Sequence, residues 1–213
     1  MNNLLGIGVS IVFMAVVLGL SMVVQKLGNE VSRKFVHIGL SNIWFIYMLF
    51  IDNIIVACIL PACFVVINSL SYKFNLIKSM ERKEKDSLGT VYYAISILVI
   101  SIFSYAMNRP EIGLLGMLTM GYGDGFAAVI GQNIPSKEFT VCKSKKSIAG
   151  SLTMFLITLA ISIVMFYCLG IEFFILKAFG IAAFATILEM FSIGGIDNLT
   201  VPILVTILTY FAI

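Results

Sequence analysis

Charge is scarce in this chain. Asp, Glu, Lys and Arg make up 12% of its 213 residues, where a soluble domain carries about 25%. So few charges cannot solvate a water-borne surface, and a mean hydropathy of +1.06 points the same way. Histidine is scarcer still: His37 stands alone, which excludes a metal centre built on paired imidazoles. The four cysteines, Cys58, Cys63, Cys142 and Cys168, form no C-x-x-C pair, and three lie in apolar runs. They read as small buried apolar residues, not as disulfides or zinc ligands. No basic segment precedes the apolar run MNNLLGIGVSIVFMAVV and no A-x-A site follows it, so it reads as a retained first span and not a cleaved signal. Internal repeats and low-complexity tracts are absent.

What is present is apolar. Hydrophobic residues make up 60% of the chain, and several runs approach or exceed the roughly 20 residues that span a bilayer. The candidate segments are 3–24, 36–51, 53–70, 88–107, 112–132, 148–169, 172–190 and 199–213. They describe an all-α, polytopic integral membrane helical bundle of seven to eight transmembrane helices, a single domain over residues 1–213. The second and last segments are short and could be tilted, half-inserted or partly re-entrant. Three connections, 25–35, 71–87 and 133–147, hold three, five and four basic residues, twelve of the 14 Lys and Arg. With these spans all three fall on one side, which the positive-inside rule makes cytoplasmic. The expected partner surface is the bilayer, with no nucleic acid.

Five polar clusters interrupt the apolar pattern on that side. GYGDG, residues 121–125, places Asp124 in the fifth segment, about eight residues or roughly 12 Å from its cytoplasmic end. An intramembrane carboxylate costs about 2.5–3.5 kcal/mol on insertion scales and is functional by default. Three glycines at alternate positions predict a broken helix lining a wet cavity, where Asp124 would hold a metal or phosphate-bound cation. The bland alternative is a packing break with Asp124 paired to a basic residue. No βαβ context makes the glycines a dinucleotide fingerprint.

CKSKKSIAGS, residues 142–151, puts Lys143 and Lys146 on one face if helical. Ser147, Gly150 and Ser151 follow at the start of a span. Basic side chains, hydroxyls and free N–H groups at a helix N-terminus suit a polyphosphate, although basic juxtamembrane runs also serve as anchors. SRKFVHIG, residues 32–39, sets Arg33 and His37 one turn apart beside Lys34, to meet phosphate or orient a substrate; a structural histidine is the alternative. ERKEKDSLGTVYY, residues 81–93, alternates in charge sign and reads as a solvated loop. EMFSIGGIDNLTVPI, residues 189–203, offers Glu189, Asp197 and Asn198 about a glycine turn, with Pro202 expected in the first turn of the last helix. Asp197 or Asn198 could be a plain N-cap, but Asp124, Glu189 and Asp197 together suit Mg²⁺ and phosphate. A transporter would instead spread polar residues near a midplane site.

In this order, SRKFVHIG, KDSLGTVYY, GYGDGFAAVIGQ, KSKKSIAGS and IDNLTVPI resemble the polyprenol kinase family, which includes dolichol kinase, phytol kinase and CTP-dependent diacylglycerol kinase. The matching pieces run from about residue 32 to 203. The resemblance implies transfer of the γ-phosphoryl of a nucleotide, often CTP, to a lipid alcohol. It places Asp124, Lys146, Ser147, Gly150, Asp197 and Asn198 in the nucleotide–metal site. Family members usually carry an acidic residue where this chain has Ala149. The GDG and K-S-x-x-G-S pieces are also similar to phosphatidate cytidylyltransferases, which transfer CMP from CTP. The expectation is a cytoplasm-facing kinase site. Asp124, Lys146 and His37 would be catalytic. Arg33, Lys34, Lys143, Lys146, Ser147, Gly150, Ser151 and Asn198 would bind nucleotide, and Asp124, Glu189 and Asp197 would bind Mg²⁺.

Overall fold

The computed structural model describes residues 2–74, 88–142 and 144–213. Lys143 and the 75–87 connection, with Lys78, Arg82, Lys83 and Lys85, lie outside the described residues.

The described residues form helices and one short hairpin. Helix α1 (Asn3–Val24) ends in a 3₁₀ turn at Gln25–Leu27, and Gly28, at φ 128°, turns the chain into α2 (Asn29–Ser41). Helices α3 (Ile43–Phe50), α4 (Ile54–Phe74), α5 (Gly89–Ala106) and α6 (Pro110–Leu118) follow. A π-helical turn, Thr119–Asp124, joins α6 to α7 (Gly125–Asn133). Strands β1 (Glu138–Val141) and β2 (Ser144–Ser147) precede α8 (Ile148–Cys168), α9 (Phe174–Met190) and α10 (Asp197–Ala212).

Among the described residues, five stretches are long and apolar enough to cross a membrane: Asn3–Leu27, Ile54–Phe74, Gly89–Ala106, Pro110–Asn133 and Ile148–Cys168. Helices α9, of 17 residues, and α10, of 16, are apolar but shorter. These stretches expose large apolar side chains outward, among them Val12, Ile55, Val66, Leu156 and Val164. Their inward seams are small. Helix α8 buries Gly150, Met154, Thr158 and Ser162 at every fourth position, and α1 buries Gly6, Ser10, Val17 and Ser21. Small residues let helix backbones approach where a lipid solvent offers no hydrophobic drive.

Helix α8 packs on α7 and α9, α10 on α5 and α6, and α1 on α2 and α3. Trp44, fully buried, anchors the middle of the bundle: its indole N–H donates to the carbonyl of Pro110 at 2.7 Å, and its ring stacks on Tyr47.

Four sequence expectations change. The cysteines are not buried: Cys63, Cys142 and Cys168 are exposed and Cys58 is half-buried. The 36–51 segment is not one helix: α2 begins at Asn29, and a turn at Asn42 separates it from α3. GYGDG does not break its helix. The backbone runs helically from Pro110 to Asn133 and widens into the π turn, so the glycines answer a packing demand. A Cβ at Gly121 would collide with Ser41 on α2, and one at Gly123 would sit 2.7 Å from Met154 Sδ on α8. Pro202 lies in the second turn of α10, not the first. It has no N–H to give the Asn198 carbonyl.

Gly121→Ala is expected to destabilise the bundle by about 1–3 kcal/mol through overpacking. Gly180→Ala, with nothing within 4 Å of the new methyl, should be neutral or slightly stabilising. Thermal unfolding of both variants in detergent checks this.

Candidate active site

Helix α2 is an inside-out element. Its buried face carries Ser32, Arg33, Lys34, His37 and Ser41, the polar residues that a membrane-facing helix would keep off lipid. Lys34 reaches the π turn and forms a buried ion pair with Asp124. The three glycines around Asp124 allow this, because α2 and α8 both close on the turn that carries it.

Lys146 approaches from a different direction. Strands β1 and β2 pair antiparallel, with Glu138 opposite Ser147 and Thr140 opposite Lys145. The tight connection has Cys142 at φ 49°, the left-handed backbone that a two-residue hairpin turn requires. The strand runs directly into α8. Ser147 caps that helix, its Oγ accepting from the Gly150 N–H at 3.2 Å. Ser144–Ser147 is therefore a strand and not a helix, and the part of the expectation that concerns Lys143 lies outside the described residues. From β2, Lys146 forms an ion pair with Glu189 at the end of α9.

The turn from α9 to α10 completes the cluster. Gly194 and Gly195, at φ 61° and 86°, supply the left-handed backbone that reverses the chain. Ser144 Oγ ties the hairpin to this turn by donating to the Ser192 carbonyl at 3.2 Å. One carboxylate oxygen each from Asp124, Glu189 and Asp197 lie within 4.8 Å of one another. Opposite ligands of an octahedral Mg²⁺ are about 4.2 Å apart, from bonds of about 2.1 Å, and the ion takes oxygen ligands. The all-oxygen donor set therefore suits that ion, and separations of up to 4.8 Å are slightly wider than one octahedral ion spans. Asn198 Oδ1, beside Asp197 in the chain, is buried without a hydrogen-bond partner.

These groups line a polar cavity of about 430 Å³. It brings together eight residues singled out in the sequence: Lys34, Asp124, Lys146, Ser147, Gly150, Ser151, Glu189 and Asp197. The other four stand differently. Arg33 is buried and gives its Nε and Nη2 to Glu30, at 3.1 and 2.6 Å, so its fork is committed within α2 and not to the cavity. His37 is 1% exposed and stacks on Tyr93 with ring centroids 4.4 Å apart, away from the cavity lining. Asn198 lies behind the lining, and Lys143 is outside the described residues. The expected free N–H groups at the start of α8 are already engaged. Ile148, Ala149 and Gly150 donate to the Lys137 carbonyl, Ser136 Oγ and Ser147 Oγ. Ser151 Oγ is buried without a hydrogen-bond partner.

Sequence reasoning missed Glu30, Gln132, Glu138 and Lys145, which also line the cavity. The last two depend on the hairpin register, which no apolar periodicity announces. Gly131 was visible only as part of a motif; its role is contact, since a Cβ there would sit 2.7 Å from Ser147 Oγ.

Comparison with known proteins finds relatives of one kind. The chain is 36% identical over 179 residues to the phytol kinase of Synechocystis sp., covering 82% of this chain and 76% of that protein. It is 30% identical over 205 residues to phytol kinase 1, chloroplastic, of Arabidopsis thaliana, covering 85% of this chain and 66% of the plant protein. It is 30% identical over 148 residues to probable phytol kinase 1, chloroplastic, of rice, covering 63% of this chain and 46% of that protein. The chain thus spans about half to two thirds of these plant relatives. No family model and no solved structure matches.

Asp124→Asn or Lys34→Met alone is expected to destabilise the protein by about 3–5 kcal/mol, because each leaves a buried charged partner uncompensated. The double variant should recover most of that loss. A double-mutant cycle of unfolding in detergent measures it, and additive losses would contradict the pairing.

Proposed function

The chain belongs to the polyprenol and phytol kinase family, and on that premise we propose that it is a membrane-embedded lipid-alcohol kinase, using CTP as phosphoryl donor and Mg²⁺ as cofactor. The observation that carries this reading is the cavity in which Asp124, Glu189 and Asp197 converge against Lys34 and Lys146. Phosphoryl transfer asks a protein chiefly for positioning and for neutralisation of charge, and these are the groups that supply both.

Lys34 and Lys146 turn from their carboxylates to the triphosphate, and Ser151 Oγ, otherwise unpartnered, donates to a phosphate oxygen. Asp124, Glu189 and Asp197 are the residues that would hold Mg²⁺, which when bound offsets phosphate charge. Asp124, buried among apolar helices, accepts the proton of the lipid hydroxyl as that oxygen attacks the γ-phosphorus. The bond from the γ-phosphorus to the bridging β-oxygen breaks, and the nucleoside diphosphate leaves. Arg33 and His37 act from behind this surface: Arg33 fixes Glu30 at the cavity edge, and His37 packs α2 against Tyr93. The acceptor is an isoprenoid alcohol, in keeping with the phytol kinases that the chain resembles, and its tail remains in the apolar phase. The cavity faces the compartment of the basic connections, the cytoplasm by charge bias.

Purified protein in detergent with Mg²⁺ and phytol should transfer label from γ-labelled CTP to lipid and none from α-labelled CTP. Label from the α-position alone would mean CMP transfer and overturn the kinase reading. Asp197 has no ion-pair partner among the described residues, so Asp197→Asn is the cleaner test of the cluster. It should lower kcat at least about 100-fold while leaving the unfolding temperature within a few degrees of the unaltered protein.

A further inference from the structure

The cavity has two regions that differ in how their polar groups are satisfied. On the floor the charges are already matched, Lys34 with Asp124 and Lys146 with Glu189, and all four are buried or half-buried. At the mouth, Gln132 from α7, Glu138 from β1 and Lys145 from β2 line the same cavity and are exposed. None of these three has a hydrogen-bond or ion-pair partner among the described residues.

The hairpin aims its two charges deliberately. Side chains alternate between the faces of a strand. Glu138 stands opposite Ser147, and Lys145 precedes Ser147 by two residues. Glu138, Lys145 and Ser147 therefore share one face and all line the cavity, while Lys146 reaches it from the opposite face, so the hairpin's end borders the cavity on both faces. Ser147 caps α8 at the floor, so Glu138 is held one cross-strand step from the phosphate-binding end. A carboxylate there repels a polyphosphate. It must meet a part of the ligand that donates hydrogen bonds, which for a nucleoside triphosphate is the nucleoside.

We propose that Glu138 is a specificity-determining residue, whose carboxylate accepts a hydrogen bond from the exocyclic 4-amino group of the cytosine ring at the cavity mouth. The proposal rests on the kinase reading above and adds the means of choosing its donor. Lys145 and the Gln132 amide complete the wall: both can donate to the ring carbonyl and ring nitrogen, which accept. CTP presents an amino group at C4 beside an acceptor ring nitrogen, where UTP presents a carbonyl oxygen beside a ring N–H. A carboxylate attracts the first and repels the second, and a site built to accept from a donor rejects an analogue without one far more strongly than it would a change in size.

The experiment compares kcat/KM for CTP and UTP, and equilibrium binding of each, in the unaltered protein and in Glu138→Gln. A glutamine can donate to the uracil oxygen through its amide. The CTP:UTP ratio should fall at least about tenfold in both measurements, through loss with CTP and gain with UTP. Thr140→Val, on the same hairpin face but outside the cavity lining, should leave the ratio unchanged. Equal loss with both nucleotides in Glu138→Gln, or no change with either, would overturn the proposal while leaving the kinase intact. Failure of the unaltered protein to transfer the γ-label from any nucleotide would overturn the kinase reading itself.

Discussion

A carboxylate buried in an apolar bundle persists only if something answers its charge, and here Lys34 does. Removing two ions from water costs several kcal/mol each, and their attraction repays that only with close geometry. The pair fixes the depth of α2 relative to the π turn and commits the buried face of α2 to the interior. Glycines at 121 and 123 follow from the same demand, because larger residues would push α2 and α8 off the turn. Fold and chemistry thus share one constraint: helices that close tightly enough to pair Lys34 with Asp124 also bring the rest of the cluster into reach.

Each participating element contributes little alone. Helix α2 gives Glu30 and Lys34, the π turn one aspartate, the hairpin Glu138, two lysines and a cap, the end of α9 a glutamate, and the start of α10 an aspartate. Lys146, Glu189 and Asp197 sit at element ends, away from the middle of the apolar stretches where charge is most costly, and Asp124, inside Pro110–Asn133, is answered by Lys34. Distribution over these elements also makes the site a property of the assembled bundle, since none of these segments could hold a triphosphate alone.

Much of this was legible in the sequence. The apolar runs located α1, α4, α5 and α8 within a few residues of their ends, and the pairing of clusters by side anticipated the meeting of Asp124, Lys146, Glu189 and Asp197. What failed did so for local reasons. Residues 144–147 carry no apolar alternation, so their strand came from the register with residues 138–141, which a single segment does not encode. GYGDG was read as a break because glycine is a poor helix former in isolation; the neighbours that need its missing side chains are far away in sequence. Arg33 pairs with Glu30 and His37 stacks on Tyr93, and neither lines the cavity.

The π turn has a consequence for the direction of the chain beyond it. A turn bonded i to i+5 takes up more residues than an α-helical one, and each residue advances a helix by about 100°. Reverting this stretch to a plain α-helix with every residue kept would rotate α7 by about that angle. Gly131 would swing away from its contact with Ser147 and Gly150, and the wall carrying Gln132 would face elsewhere. Substitutions on the outer faces of α7 can drift, but the width of this six-residue turn sets the direction of everything that follows it.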